Sequence, residues 1–79
     1  GKINVEFIDC LYLSSEDDVI SSTDINVVNQ IYCKKDITCR NLNCKGNIRC
    51  ERDIYITNSV YCKNIIECDG NIYMITSHT

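Results

Sequence analysis

The chain has no proline and no tryptophan, and its 79 residues include one phenylalanine, one methionine, one histidine and three glycines. One histidine, His78, sits close to the end. A Ser/His/Asp set therefore has little to build on, and neither a carboxylate pair nor a phosphate-binding loop is recognisable. The formal charge of −3 is mild, which argues against a nucleic-acid binder and against an acidic tail. No apolar run approaches membrane-spanning length, and the first residues lack a signal-peptide layout. The length suits one small domain, and a compact globule of this size has a thin core. Cysteine is the exception to this scarcity. There are seven, an odd number, and no C-x-x-C pair occurs among them.

What the chain does have is a repeat, strongest between Ile37 and Ile72. It reads ITCRN, LNCKGN, IRCERD, IYITNS, VYCKNI, IECDGN, IYM. Each unit opens on an aliphatic residue, places a cysteine or another apolar residue two positions later, and closes on a short polar run. Units begin at Ile37, Leu42, Ile48, Ile54, Val60, Ile66 and Ile72, a period of six with a single five. Such periodicity is read before any local motif. Extended backwards, the frame adds Ile31, Ile25, Val19, Leu13, Ile8 and Ile3, with two more five-residue steps at 3→8 and 8→13. Residues 1–24 follow it loosely and 25–75 regularly, so 1–79 is read as a single domain.

Apolar, polar, apolar over three residues is a short strand with one buried face. Uniform bends that do not reverse direction exclude hairpins, so the strands form the sides of a coil. The predicted fold is all-β: a three-sided parallel β-helix of about four coils, each of roughly 17–18 residues, with a right-handed winding preferred. Stacking every third unit tests this. The columns become Ile8-Ile25-Leu42-Val60, Leu13-Ile31-Ile48-Ile66 and Ile3-Val19-Ile37-Ile54-Ile72, all aliphatic. The companion columns are Cys10-Val27-Cys44-Cys62, Ser15-Cys33-Cys50-Cys68 and Val5-Ser21-Cys39-Ile56-Met74. From Ile25 onward each coil combines two cysteines with one larger residue, as close packing in a narrow core requires. Asn41, Asn47, Asn71, Gly46 and Gly70 fall in the bends, where a left-handed or tight backbone is expected.

The runs LNCKGNIRC (42–50) and IECDGNI (66–72) resemble the repeats of bactofilins, a polymer-forming bacterial cytoskeletal family. The resemblance covers the rhythm of about residues 25–75. It implies a right-handed triangular β-helix that polymerises end to end without nucleotide. The chain departs from that pattern in carrying mostly cysteine at the small position and few glycines. Hexapeptide acyltransferases place the small residue before the aliphatic one and carry a catalytic histidine with no counterpart here. Pentapeptide-repeat proteins keep a strict period of five.

The thiols Cys10, Cys33, Cys39, Cys44, Cys50, Cys62 and Cys68 are read as small core fillers in the reduced state. A hydroxyl at Cys50 would then be buried without an assured partner. Pairing within a coil, Cys33–Cys39, Cys44–Cys50 and Cys62–Cys68, is the alternative and implies an oxidising compartment. A metal site from Cys44, Cys50, Cys62 and Cys68 needs four thiols converging from two layers. Glu16, Asp17 and Asp18 form an acidic bend, read as a solvated corner rather than a cation loop. Thr38, Tyr55 and Tyr73 share an outward column, read as a stabilising ladder with a glycan-binding strip as the alternative. Asn26, Asn43 and Tyr61 share another.

These readings converge on a structural, self-associating protein, neither an enzyme nor a cofactor binder. It is expected to form a homo-oligomer or filament through coil ends that lack an obvious cap, without nucleic-acid partners. Reduced thiols and the missing leader favour the cytoplasm, whereas intra-coil disulfides would place it outside the cell. The alternatives are a small module recognising glycan or protein through an outward Tyr/Asn face, and a piece of a longer fibre protein.

Overall fold

The computed structural model describes residues 1–75. Nine strands run through them and no helix. They are β1 (Ile3–Val5), β2 (Ile8–Ser15), β3 (Val19–Ser21), β4 (Asp24–Cys33), β5 (Ile37–Cys44), β6 (Asn47–Cys50), β7 (Ile54–Cys62), β8 (Ile66–Cys68) and β9 (Ile72–Met74). Every pairing is parallel. The chain therefore winds as a three-sided β-solenoid, each coil hydrogen-bonded to the next.

The register follows the aliphatic columns. On the first side Ile3 pairs with Val19, Val19 with Ile37, Ile37 with Ile54 and Ile54 with Ile72. The second side stacks Ile8, Ile25, Leu42 and Val60. The third stacks Leu13, Ile31, Ile48 and Ile66. Val19, Ile25, Ile31, Ile37, Leu42, Ile48 and Ile54 are almost wholly buried. With Cys33, Cys39, Cys44, Cys50, Val27 and Ile56 they form one continuous core. β-branched residues suit these pleated strands.

Mixing five- and six-residue steps leaves a mark. The short step Cys10→Leu13 lies on the longer Val27→Ile31, and the register shifts between Cys10 and Tyr12. The short step Cys39→Leu42 lies on Ile56→Val60, and the register shifts between Cys39 and Asn41. An extra residue in one strand must bulge for the columns to realign. β2, β4, β5 and β7 thus run unbroken around a corner, and other corners interrupt the strand.

The bends differ from the sequence expectation. No described residue, glycine included, has a positive φ. Glycine is needed at position 46 for another reason. A Cβ there would lie 1.7 Å from the carbonyl oxygen of Asn29 in the coil beneath. At Gly70 a Cβ would meet Asp53 Oδ1 at 2.2 Å and Arg52 O at 2.6 Å. Close coil stacking, not left-handed backbone, excludes the side chain.

The two ends differ. At the last coil Val60, Ile66, Ile72 and Met74 occupy inward columns yet are exposed. At the first coil Val5 is exposed and Ile3, Ile8 and Cys10 are half-buried. Leu13, although in the first coil, is buried, as is its companion Ser15.

Candidate functional site

All seven cysteines are free thiols. Cys33, Cys39, Cys44 and Cys50 are buried, and Cys10, Cys62 and Cys68, nearer the ends, are half-buried. The partners proposed for pairing within a coil stand on different sides of the solenoid. Cys33, Cys50 and Cys68 stack on the third side, Cys44 and Cys62 on the second, and Cys39 faces Ile56 on the first. Among the described residues no group of three or more His, Cys, Asp or Glu side chains converges in a metal-binding arrangement.

The thiols at corners where the strand ends do more than fill space. The sulfurs of Cys33, Cys44, Cys50, Cys62 and Cys68 each lie 3.0–3.7 Å from two carbonyl oxygens. One belongs to the residue three positions on, the other to the corner of the coil beneath. Cys50, for example, faces Lys35 O at 3.0 Å and Asp53 O at 3.5 Å. Ser21 takes the same place with a stronger donor, its hydroxyl reaching Asp24 O at 2.9 Å and Glu6 O at 3.0 Å. A corner that interrupts the strand turns these carbonyls inward, and a buried acceptor needs a donor. Cys10 and Cys39 precede five-residue steps, where the strand continues, and neither sulfur has such an acceptor. Burial, reinforced by Asp24, pushes the Cys39 thiol up to about 12. Burial likewise raises Cys10, Cys44 and Cys68. Cys33 and Cys50, free thiols stacked in neighbouring coils, titrate as a pair: their interaction holds Cys33 down and pushes Cys50 up.

A second column was not foreseen. Asp18, Asp36, Asp53 and Asn71 each precede the first-side aliphatic residue. The Asp18 carboxylate accepts the Asp36 N–H at 3.1 Å, Asp36 accepts Asp53 N–H at 3.0 Å, and Asp53 accepts Asn71 N–H at 2.9 Å. Their backbone carbonyls accept from Ile3, Val19, Ile37 and Ile54 of the coil before, at 2.9–3.0 Å. The residue before the aliphatic position thus ties three successive coils together. The signal was present as Asp or Asn at that position in four units. Beside the next corner, Asn41 donates to Asp24 at 2.7 Å and accepts from Asn58 at 2.7 Å and Ser59 at 2.8 Å.

The acidic bend is part of this scaffold. Asp17 accepts the Asp18 N–H, which holds its carboxyl below the usual carboxylate range. Lys34 faces Glu16 and Lys35 faces Asp17, each at 3.7 Å. Tyr32 donates to Glu51, which raises its hydroxyl. Arg49 pairs with Asp69 at 2.9 Å.

Thr38, Tyr55 and Tyr73 do share an outward column. The two rings stack with centroids 5.0 Å apart and planes 10° from parallel. Tyr55 donates to Asp53 Oδ2 at 3.2 Å, and the Asn71 amide donates to the Tyr73 hydroxyl at 3.1 Å. Burial and the Asp53 bond raise the Tyr55 hydroxyl. Ring faces that cover one another behave as a ladder. Asp9, Asn26, Asn43 and Tyr61 form the corresponding column on the second side, but Asn26 and Asn43 make no hydrogen bond to each other. His78 lies outside the described residues.

No protein-family model matches the sequence, and no match is found among curated proteins or solved structures.

Proposed function

We propose that the protein is a structural module that assembles end to end through its last coil. One observation carries this reading. The side chains that are almost wholly buried in the middle coils have counterparts at Val60, Ile66, Ile72 and Met74 that remain open. Parallel strands at that face also present unpaired N–H and C=O groups, a template for a further strand layer. A second copy is suited to it, since the first coil offers Val5, Ile3 and Ile8 in the same inward columns. The two faces differ, so contact between them is head-to-tail and propagates instead of closing as a dimer. The resemblance to the bactofilin rhythm supports the same role, which needs no catalysis. Seven unpaired thiols fit a reducing compartment, and the cytoplasm is the proposed location.

Sedimentation velocity tests the reading with Ile72→Lys. Ile72 is already 45% exposed, so a charge there disturbs the edge without entering a sealed core. The unaltered chain is expected to form larger species as concentration rises. The variant should remain monomeric with an unchanged β-type circular dichroism spectrum. A chain that stays monomeric when concentrated would overturn the proposal. That outcome would assign the open face to a further coil of a longer polypeptide or to another partner.

A further inference from the structure

We propose that a groove on the second side of the solenoid binds a neutral oligosaccharide. The groove is shallow and open to solvent, with a volume of about 330 Å³, and is lined by Asp9, Asn26, Val27, Val28, Asn43 and Lys45. Small-ligand sites begin at roughly this size. It lies along one outward column, where Asp9 stacks on Asn26, Asn26 on Asn43, and Asn43 on Tyr61.

The polar side chains here have no protein partner among the described residues and face solvent. At the corners Asn41, Asn58 and Asn71 bond to neighbouring coils, and Asn47 accepts the Ile65 N–H. Among the described residues the side chains of Asp9, Asn26, Asn43 and Lys45 take part in none of these ladders and in no ion pair. The groove therefore offers two amides that both donate and accept, one carboxylate acceptor and one ammonium donor. Val28 flanks it, and the ring of Tyr61, 54% exposed, follows Asn43 along the column.

This inventory selects among ligand classes. An anion would meet Asp9 with a single lysine to offset it. A metal cation would meet Lys45 and one carboxylate. A peptide adding as a strand needs a free edge, but β4 is paired on both sides, with β2 and with β5 and β6, and β5 is paired with β4 and β7. Sugar hydroxyls both donate and accept, which suits alternating amide and charged partners. The C–H face of a pyranose suits an exposed tyrosine ring. Strand spacing of ~4.8 Å places these groups in a regular row along the coil axis, so an extended glycan would lie parallel to that axis.

Two-dimensional amide NMR of the 79-residue chain, titrated with short glucan, mannan and galactan oligosaccharides, tests the assignment. Shifts are expected at Asp9, Asn26, Asn43 and Tyr61 with at least one of these sugars, and not at Tyr55 or Tyr73. Asn43→Ala, an exposed substitution, should weaken that binding about tenfold, the loss of one or two hydrogen bonds, with an unchanged melting temperature. Absence of shifts with every sugar would overturn the proposal. So would shifts confined to the Tyr55–Tyr73 column, or undiminished binding by Asn43→Ala. None of these outcomes depends on whether the chain assembles through its ends.

Discussion

Cys39 and Cys50 occupy equivalent places in the repeat, and their surroundings differ because the strand runs on past Cys39 and ends at Cys50. Cys50 lies against two corner carbonyls. Cys39 sits where the strand runs on through a bulge, buried with no acceptor for its sulfur. Serine is therefore a discriminating replacement. At Cys50 its hydroxyl should find the carbonyls that Ser21 already uses in its own coil, and denaturant unfolding should show a cost within ~1 kcal/mol. At Cys39 a hydroxyl is buried unpaired, at a cost of about 1–3 kcal/mol. Equal losses at the two sites would contradict the corner-donor role. The expectation that a hydroxyl at Cys50 lacks a partner is thus revised, since sequence spacing does not reveal which way a carbonyl points. Alkaline pH offers a second check. Burial raises Cys39 from 9.0 to about 12, so between these values the unfolded chain loses a proton that the folded chain keeps. Stability should be intact below pH ~9 and fall as pH rises toward ~12, by at most about 1.4 kcal/mol per pH unit for each such thiol. Melting temperatures should show this decline, and Cys39→Ala should make it shallower. A profile flat to pH ~11 would contradict it.

Between neighbouring coils the decisive elements are corners. The columns and their register were legible because aliphatic spacing of five or six residues has only one way to stack in threes. Side assignment and the outward Tyr55–Tyr73 pair follow from that count, whereas the three-residue strands it suggested merge across a corner in β2, β4, β5 and β7. What the corners do was less legible. Asp18, Asp36, Asp53 and Asn71 look like ordinary polar bend residues until the coils are superimposed, when each of the three aspartate side chains is found accepting the backbone N–H of its counterpart in the next coil. The glycines invited a left-handed reading that the backbone does not bear out. Their necessity comes from contact with the coil below, which no local window contains. Gly46→Ala tests this directly. The new methyl would fall 1.7 Å from the Asn29 carbonyl oxygen, backbone that cannot rotate away. Forced separation of the coils should cost about 1–3 kcal/mol, in the range of overpacking. A Gly46→Ala protein as stable as the parent would show that the corner yields more easily than the stacking implies.

The whole molecule measures 36 × 26 × 24 Å, and its core runs from coil to coil without a break. Such a core has no natural stopping point, and each coil is stabilised chiefly by its neighbours. The middle coils are covered on both sides, whereas the last is open at Val60, Ile66 and Ile72. The first coil is more closed than its aliphatic pattern suggested, because Leu13 and Ser15 are buried. A head-to-tail contact would therefore protect the last coil more than the first. Hydrogen–deuterium exchange followed by mass spectrometry, compared between dilute and concentrated protein, reads that difference along the chain. The account predicts that amides in 60–75 gain protection as concentration rises, while those in 25–56, already paired on both sides, stay protected throughout. Unchanged exchange in 60–75 across the concentration range would contradict assembly through this face.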